Sequence, residues 1–338
     1  LLKREIKNDW TEHKLEKKYV ISVDMGGTKI LAAILNTDAG IIRRLKKPTG
    51  KDKSAEEYVE SLSEIIREIV KESKLKDNQI AAVCLGIPGS VNPYTGLIAM
   101  APNLGLSNFN IKKKLGHLIP YPVLVENDVN LGALGVKYFG VGKSAKDMLV
   151  VFVGTGIGAG FIFDGRLFRG ADCSAGEIGH IKVKENGPLC GCGNYGCLEA
   201  VASRSAIDRD IKKELRKGAK SILKEFISSD KPIKSKALAN AVRKEDKLSV
   251  KYITKACRTI GKVLADITNL LNLDLIILGG GVIEALDKFV IPIIKEAFDE
   301  NALPSSSKGL RILATKLGDD AALYGGIYLA EEFLNIKV

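Results

Sequence analysis

The chain has 338 residues, of which 46% are apolar, 27% charged and 6% aromatic. At about 150 residues per domain, that is enough for roughly two domains with sizeable cores, which excludes a disordered chain and a disulfide-held miniprotein. The formal net charge is +11, and all of it lies between Arg204 and Lys262, where 18 Lys or Arg face seven Asp or Glu. That stretch holds only Phe226 and Tyr252 as aromatics, so it reads as the solvated faces of amphipathic helices rather than a nucleic-acid surface. Two long uncharged stretches exist, 80–111 and 148–163. Pro88, Pro93 and Pro102 interrupt the first, and the second is short and glycine-rich, so neither reads as a bilayer helix. The first twenty residues mix Lys, Glu, Asp and Asn without an apolar core and give no secretory signal. Six cysteines, three of them within 190–197, favour a reducing cytoplasm and a metal site over a disulfide framework.

In chain order, residues 19–36 read as strand, glycine turn and strand, followed by a turn at 38–40, a third strand over 41–47 and a helix over 54–73. A strand at 80–87, an irregular loop through Asn103, a strand at 123–126 and a helix from Asp128 come next. The opening order then returns: a strand over 147–153, a glycine turn spanning 154–160, a strand at 161–163 and a turn at Asp164-Gly165. A helical stretch through 272, a buried strand at 273–278 leading into a helix, a strand at 311–315 and a helix at 321–333 complete the chain. The repeated order predicts an α/β protein of two lobes with a ligand cleft between them. The expected divisions are an N-terminal extension 1–18, a first lobe 19–130 and a second lobe 131–338. The second carries a zinc-binding loop at 177–199 and the basic helical region 204–262, and the last helix is placed to pack back on the first lobe.

Four constellations carry chemistry. Asp24-Met-Gly26-Gly27-Thr28-Lys29 follows a strand, where its N–H groups and hydroxyl can meet a phosphate and Asp24 a hydrated Mg²⁺. Alone it is more often just a hairpin turn; the similar turn Gly154-Thr155-Gly156 in the second half shifts the reading to phosphate. Gly279-Gly280-Gly281 is either a plain strand-to-helix turn or a flat surface for adenosine. Asp128, in Glu126-Asn127-Asp128, is either a helix-capping residue or a general base for an attacking hydroxyl. The most specific signal is Glu177-Ile-Gly-His180 followed by Cys190-Gly-Cys192 and Cys197-Leu-Glu199. One histidine and three cysteines at this spacing fit a closed, structural tetrahedral Zn²⁺ site. Glu177 and Glu199 flank it as acceptors for sugar hydroxyls or as solvated acids.

These motifs, with Gly86-Ile-Pro-Gly89 and Ala101-Pro-Asn103-Leu, resemble the ROK family of sugar kinases and repressors from about Tyr19 to the C-terminus. The resemblance implies an actin-like, ribonuclease-H-like ATPase fold that binds ATP, Mg²⁺ and a hexose and phosphorylates a sugar hydroxyl. It makes Asp128 the catalytic base and gives Asn103, Asn127, Asp128, Glu177, His180 and Glu199 to the sugar. It gives Gly26, Gly27, Thr28 and Lys29 with Gly154, Thr155 and Gly156 to the phosphates, and Gly279, Gly280 and Gly281 to adenosine. Zinc goes to His180, Cys190, Cys192 and Cys197, His180 using its second nitrogen for sugar. A cytoplasmic homodimer or tetramer is implied, with glucose as the first expected hexose and fructose, N-acetylglucosamine, N-acetylmannosamine or allose as alternatives. The rival is a sugar-responsive repressor of the same family; it would need a winged helix-turn-helix upstream, and 23 residues precede Asp24.

Overall fold

The computed structural model describes residues 18–36, 40–50, 53–228 and 231–337. The expected N-terminal extension, apart from residue 18, and positions 38 and 39 of the predicted turn lie outside them. The chain divides into two compact units, one of 1–135 with 322–338 and one of 136–321.

In the first unit, β1 (Tyr19–Met25), β2 (Lys29–Asn36) and β3 (Ile41–Pro48) form an antiparallel meander. Strands β1 and β2 are apolar on both faces because both are covered, whereas β3 carries Arg43, Arg44, Lys46 and Lys47 along the sheet edge, a composition that discourages pairing with another chain. Helix α1 (Ala55–Ser73) starts at a capping box in which the Ser54 hydroxyl accepts from Glu57 N and the Glu57 carboxylate accepts from Ser54 N, satisfying two otherwise orphaned donors. Its Tyr58, Leu62, Ile65, Ile66 and Ile69 recur at helical spacing and join the core of the sheet, each large side chain contributing about 1.5–3 kcal/mol by burial.

The fully buried β4 (Ile80–Ile87) runs parallel to β1. The region read as an irregular loop through Asn103 is instead a small antiparallel sheet of β5 (Ser90–Asn92), β6 (Leu97–Ala101) and β7 (Leu106–Asn110). Pro93 and Gly96 look like breakers in sequence but form the β5–β6 hairpin turn, whose Asn92 side chain accepts from Tyr94 N and Thr95 N. After α2 (Ile111–Gly116), β8 (Val123–Asn127) pairs parallel with β4 and leads into α3 (Asp128–Phe139). The sheet order is β3-β2-β1-β4-β8.

The second unit repeats this plan. Strands β9 (Met148–Val153), β10 (Ile157–Phe163) and β11 (Arg166–Phe168) form the meander, and β12 (Leu275–Gly279) and β13 (Arg311–Ala314) add parallel strands, giving the order β11-β10-β9-β12-β13. The glycine turn is shorter than its sequence suggests: Gly158 and Gly160 lie inside β10, and only residues 154–156 turn. Between β11 and β12 come α4 (Leu198–Ala202), α5 (Arg204–Arg216), α6 (Glu225–Ser228), α7 (Ser235–Arg243) and α8 (Lys247–Leu271). Helix α9 (Gly281–Asp299) follows β12 and α10 (Pro304–Ser307) precedes β13. Helix α11 (Ala321–Leu334) returns to the first unit, where Ser22 Oγ donates to Ala322 O. A Cβ at Gly325 would lie 1.8 Å from Leu131 O of α3, so only glycine allows this approach. No described helix is long and apolar enough to cross a membrane.

Candidate active site and metal centre

Parallel strands β1, β4 and β8 bring their C-terminal ends to one edge of the first sheet, the usual ligand edge of such sheets. The register pairs Asp24 with Gly86, Gly86 with Glu126 and Ile87 with Asn127. Asp24, Asn127 and Asp128 therefore gather at that edge, although about a hundred residues separate them in sequence. The Gly26–Lys29 turn closes with Gly26 N donating to Lys29 O at 3.0 Å. Thr49, fully buried, clasps it: its hydroxyl donates to Gly26 O and its N–H to Thr28 O. Asn103 lies beside this turn, its Cβ 3.5 Å from where a Cβ on Gly27 would sit.

Capping of α3 falls to Asn127, not Asp128. Asn127 Oδ1 accepts from Val129 N and Asn130 N at 2.9 and 3.0 Å, while its Nδ2 donates to Gly89 O. Beneath it the buried Glu126 carboxylate accepts from Asn127 N and Asn130 Nδ2. Asp128 opens the helix half-buried, with Oδ1 accepting from Val129 N at 2.9 Å.

In the second unit the 154–156 turn is tied by Gly154 N donating to Gly156 O, and Gly154 O accepts from Arg204 N, both at 2.9 Å. The Arg204 guanidinium donates to Thr155 Oγ1 at 2.6 Å. Beside it, Gly279 pairs in register with Phe152. Gly280 has φ +86°, and a Cβ there would stand 2.7–2.9 Å from the backbone of Val153. This crossing requires glycine and places the 279–281 turn next to the 154–156 turn. Glu199 joins the same place, its Oε2 accepting from Ile157 N at 3.0 Å.

His180, Cys190, Cys192 and Cys197 offer ligand atoms that all lie within 4.8 Å of one another. Cys192 and Cys197 sulfurs are 3.7 Å apart, and His180 Nδ1 is 3.6 Å from Cys190 Sγ. A tetrahedron with metal–sulfur bonds of about 2.3 Å has edges of about 3.8 Å, so the donor set fits zinc. Burial pushes the Cys197 thiol up to about 12 and raises Cys190 as well, whereas the Asn194 N–H lowers Cys192. Without a cation the buried thiols keep their protons, and metal uptake releases them. His180 turns Nε2 to the other side, 3.7 Å from Glu177 Oε2, and both residues are exposed. Of the remaining cysteines, Cys84 and Cys257 are buried as expected for ordinary core thiols, but Cys173 is only half-buried.

Sequence reasoning missed Thr49 and Arg204 as braces of the two turns. Neither belongs to a spaced motif, and each reaches its turn from an element 20 to 50 residues away.

Comparison with known proteins points to one family. A family model described as ROK, the ROK family, matches residues 20–333. A glucokinase of Halalkalibacterium halodurans is 32% identical, covering 94% of this chain and 96% of that protein. A xylose repressor of Caldicellulosiruptor bescii is 28% identical, covering 91% of this chain and 77% of that protein. Among solved structures, a ROK family glucokinase from Streptomyces griseus in complex with glucose and AMPPNP is 31% identical with a TM-score of 0.81, covering 93% of this chain and 99% of that one. The two α/β lobes with mixed five-stranded sheets have the actin-like ATPase fold of such kinases.

Proposed function

Because this chain belongs to the ROK family and is therefore of a sugar-kinase or repressor lineage, we propose that it is an ATP-dependent hexokinase whose first substrate is glucose. The observation that carries this reading is the meeting of Asp24, Asn127 and Asp128 at the strand edge that also bears a Gly/Thr turn, while a second such turn recurs at the equivalent place of the other sheet. A protein that only senses sugar needs hydroxyl acceptors; it needs neither two phosphate turns nor a strand-end base. The glucokinase relative, at 32% identity, supports the same choice.

In this reading Asp128 takes the proton from the attacking sugar hydroxyl, a contribution of about 10²–10⁴-fold for a positioned base. Asn103 and Asn127, together with Glu177, His180 and Glu199, bind the sugar hydroxyls and orient the attacking one. Phosphoryl transfer passes through a loose transition state, so positioning and charge stabilisation are the protein's main tasks. Backbone N–H groups of residues 26–29 and 154–156 with the Thr28 and Thr155 hydroxyls spread the phosphate charge, residues 279–281 hold adenosine, and Asp24 meets the Mg²⁺ carried with the nucleotide. His180, Cys190, Cys192 and Cys197 would hold a structural zinc ion, which would order the segment 177–199 that carries Glu177, His180 and Glu199.

A coupled assay of ADP release over glucose, fructose, N-acetylglucosamine, N-acetylmannosamine and allose tests the proposal. Turnover with glucose as the best substrate is expected. Hexose binding without ADP release from any sugar would overturn it and favour a sugar-responsive repressor.

A further inference from the structure

The basic region has a definite relation to the second glycine turn. Along one face of α5, Arg204, Asp208 and Lys212 stand one helical turn apart and all grip the segment 231–233. Arg204 donates to Ile233 O at 3.3 Å, Asp208 Oδ1 accepts from Ile233 N at 3.1 Å, and Lys212 Nζ donates to Lys231 O at 2.8 Å. The Asp208 and Lys212 side chains are also paired, at 3.2 Å. The gripped segment helps line a cavity of about 450 Å³ with Phe226, Pro232, Lys234, Lys236 and Ala237. It leads directly into α7, whose Ser235 hydroxyl lies 3.4 Å from where a Cβ on Gly281 would sit. Arg204 is thus the joint between this segment and Thr155, which it holds by a second guanidinium nitrogen at 2.6 Å.

The Thr155 bond has a chemical consequence. A hydroxyl has one proton to give and two lone pairs. With one lone pair accepting from a guanidinium, the Thr155 proton is directed away from Arg204 and is a better donor, since charge-assisted hydrogen bonds polarise the group they engage. We propose that Arg204 is a positioning residue of the nucleotide site: it presents the Thr155 hydroxyl as a donor to a nucleotide phosphate and ties that turn to segment 231–233. This rests on the kinase reading for the identity of the anion.

The test is calorimetric titration of the full chain with AMPPNP and Mg²⁺, and separately with hexose, for wild type, Arg204→Ala, Arg204→Lys, Thr155→Val and the Arg204→Ala/Thr155→Val double variant. Loss of a hydrogen bond involving a charged group predicts about tenfold weaker AMPPNP binding for Arg204→Ala, with hexose affinity unchanged within about twofold. Arg204→Lys should recover part of the loss, because it restores one charged donor without the fork. In the Thr155→Val background Arg204→Ala should add less than about threefold, the signature of coupled partners. Undiminished AMPPNP affinity in Arg204→Ala, equal losses for both ligands, or full additivity with Thr155→Val would overturn the proposal. If Arg204→Ala fails to fold, Arg204→Lys takes its place in the cycle and the same additivity decides. A wild type that binds AMPPNP in an Arg204-dependent way yet phosphorylates no hexose would sink the kinase reading and leave this inference standing.

Discussion

The two sheets share one strand order and differ at the same edge. In the first, Asp24 occupies the position paired with Gly86, and β8 runs directly into Asp128. In the second, the position paired with Gly279 is Phe152, and glycines and one arginine crowd the edge, where the carboxylate of Glu199 is engaged by Ile157 N. Carboxylates suit a cation and a proton in flight, whereas N–H groups and a guanidinium suit an anion. On the proposed kinase reading, the repeat keeps the scaffold and divides the chemistry. The insertions differ too: a small β-sheet lies between β4 and β8, and helices with a metal loop lie between β11 and β12.

The sharpest way to break this contrast is Asp128→Ala. It should lower kcat by about 10²–10⁴-fold and leave hexose affinity within about tenfold, measured by turnover and by calorimetry. Near-normal turnover would take proton chemistry away from the first unit. Next in size, Cys192→Ser should abolish zinc binding, read by metal analysis, and lower stability by on the order of 3 kcal/mol in chemical denaturation. A metal-free protein of undiminished stability would show that the second unit does not depend on its loop. Gly280→Ala forces a Cβ against Val153 at φ +86° and should cost about 1–3 kcal/mol. AMPPNP binding should weaken with hexose binding preserved, and a uniform loss of both would blur the division of labour.

The smallest effect concerns the helical insertion alone. Burial pushes the Asp246 carboxyl up, but hydrogen bonds from Ser249 N, the Ser249 hydroxyl and Ile222 N outweigh it and hold the group below its ordinary value. Asp246 caps α8, so Asp246→Ala should cost about 1 kcal/mol at neutral pH. A depressed folded-state pKa stabilises above the unfolded value, near pH 4, and loses that contribution as pH falls through the lower folded value. The gap between the two proteins should therefore close in acid, and a gap that stays constant on acid titration would remove Asp246's charge from the account.

Much of this was legible in sequence where the signal is local. Helix α1 shows its spacing and its Ser54-x-x-Glu57 box, β4 is an unbroken apolar run, and the His180 and cysteine spacing announces a metal by itself. The strands around Pro93 and the start of β10 were obscured because glycine and proline usually end elements, whereas here Gly158 and Gly160 are held inside a paired strand. Asn127 and Asp128 could not be told apart as cap and acid without side-chain geometry, since either residue type serves at a helix start. Thr49 and Arg204 carry no periodic trace, because their partners are backbone and hydroxyl atoms far along the chain.

The fit of Gly325 onto Leu131 has a practical side. A protease that clipped the polypeptide after residue 320 would spare every side chain assigned a task above, yet strip away the helix that braces α3, on whose first turn Asp128 rides. Loss of that helix would also open the core that its buried Leu323, Ile327 and Leu329 fill, so recombinant fusions are better joined beyond Leu334 than within the final helix.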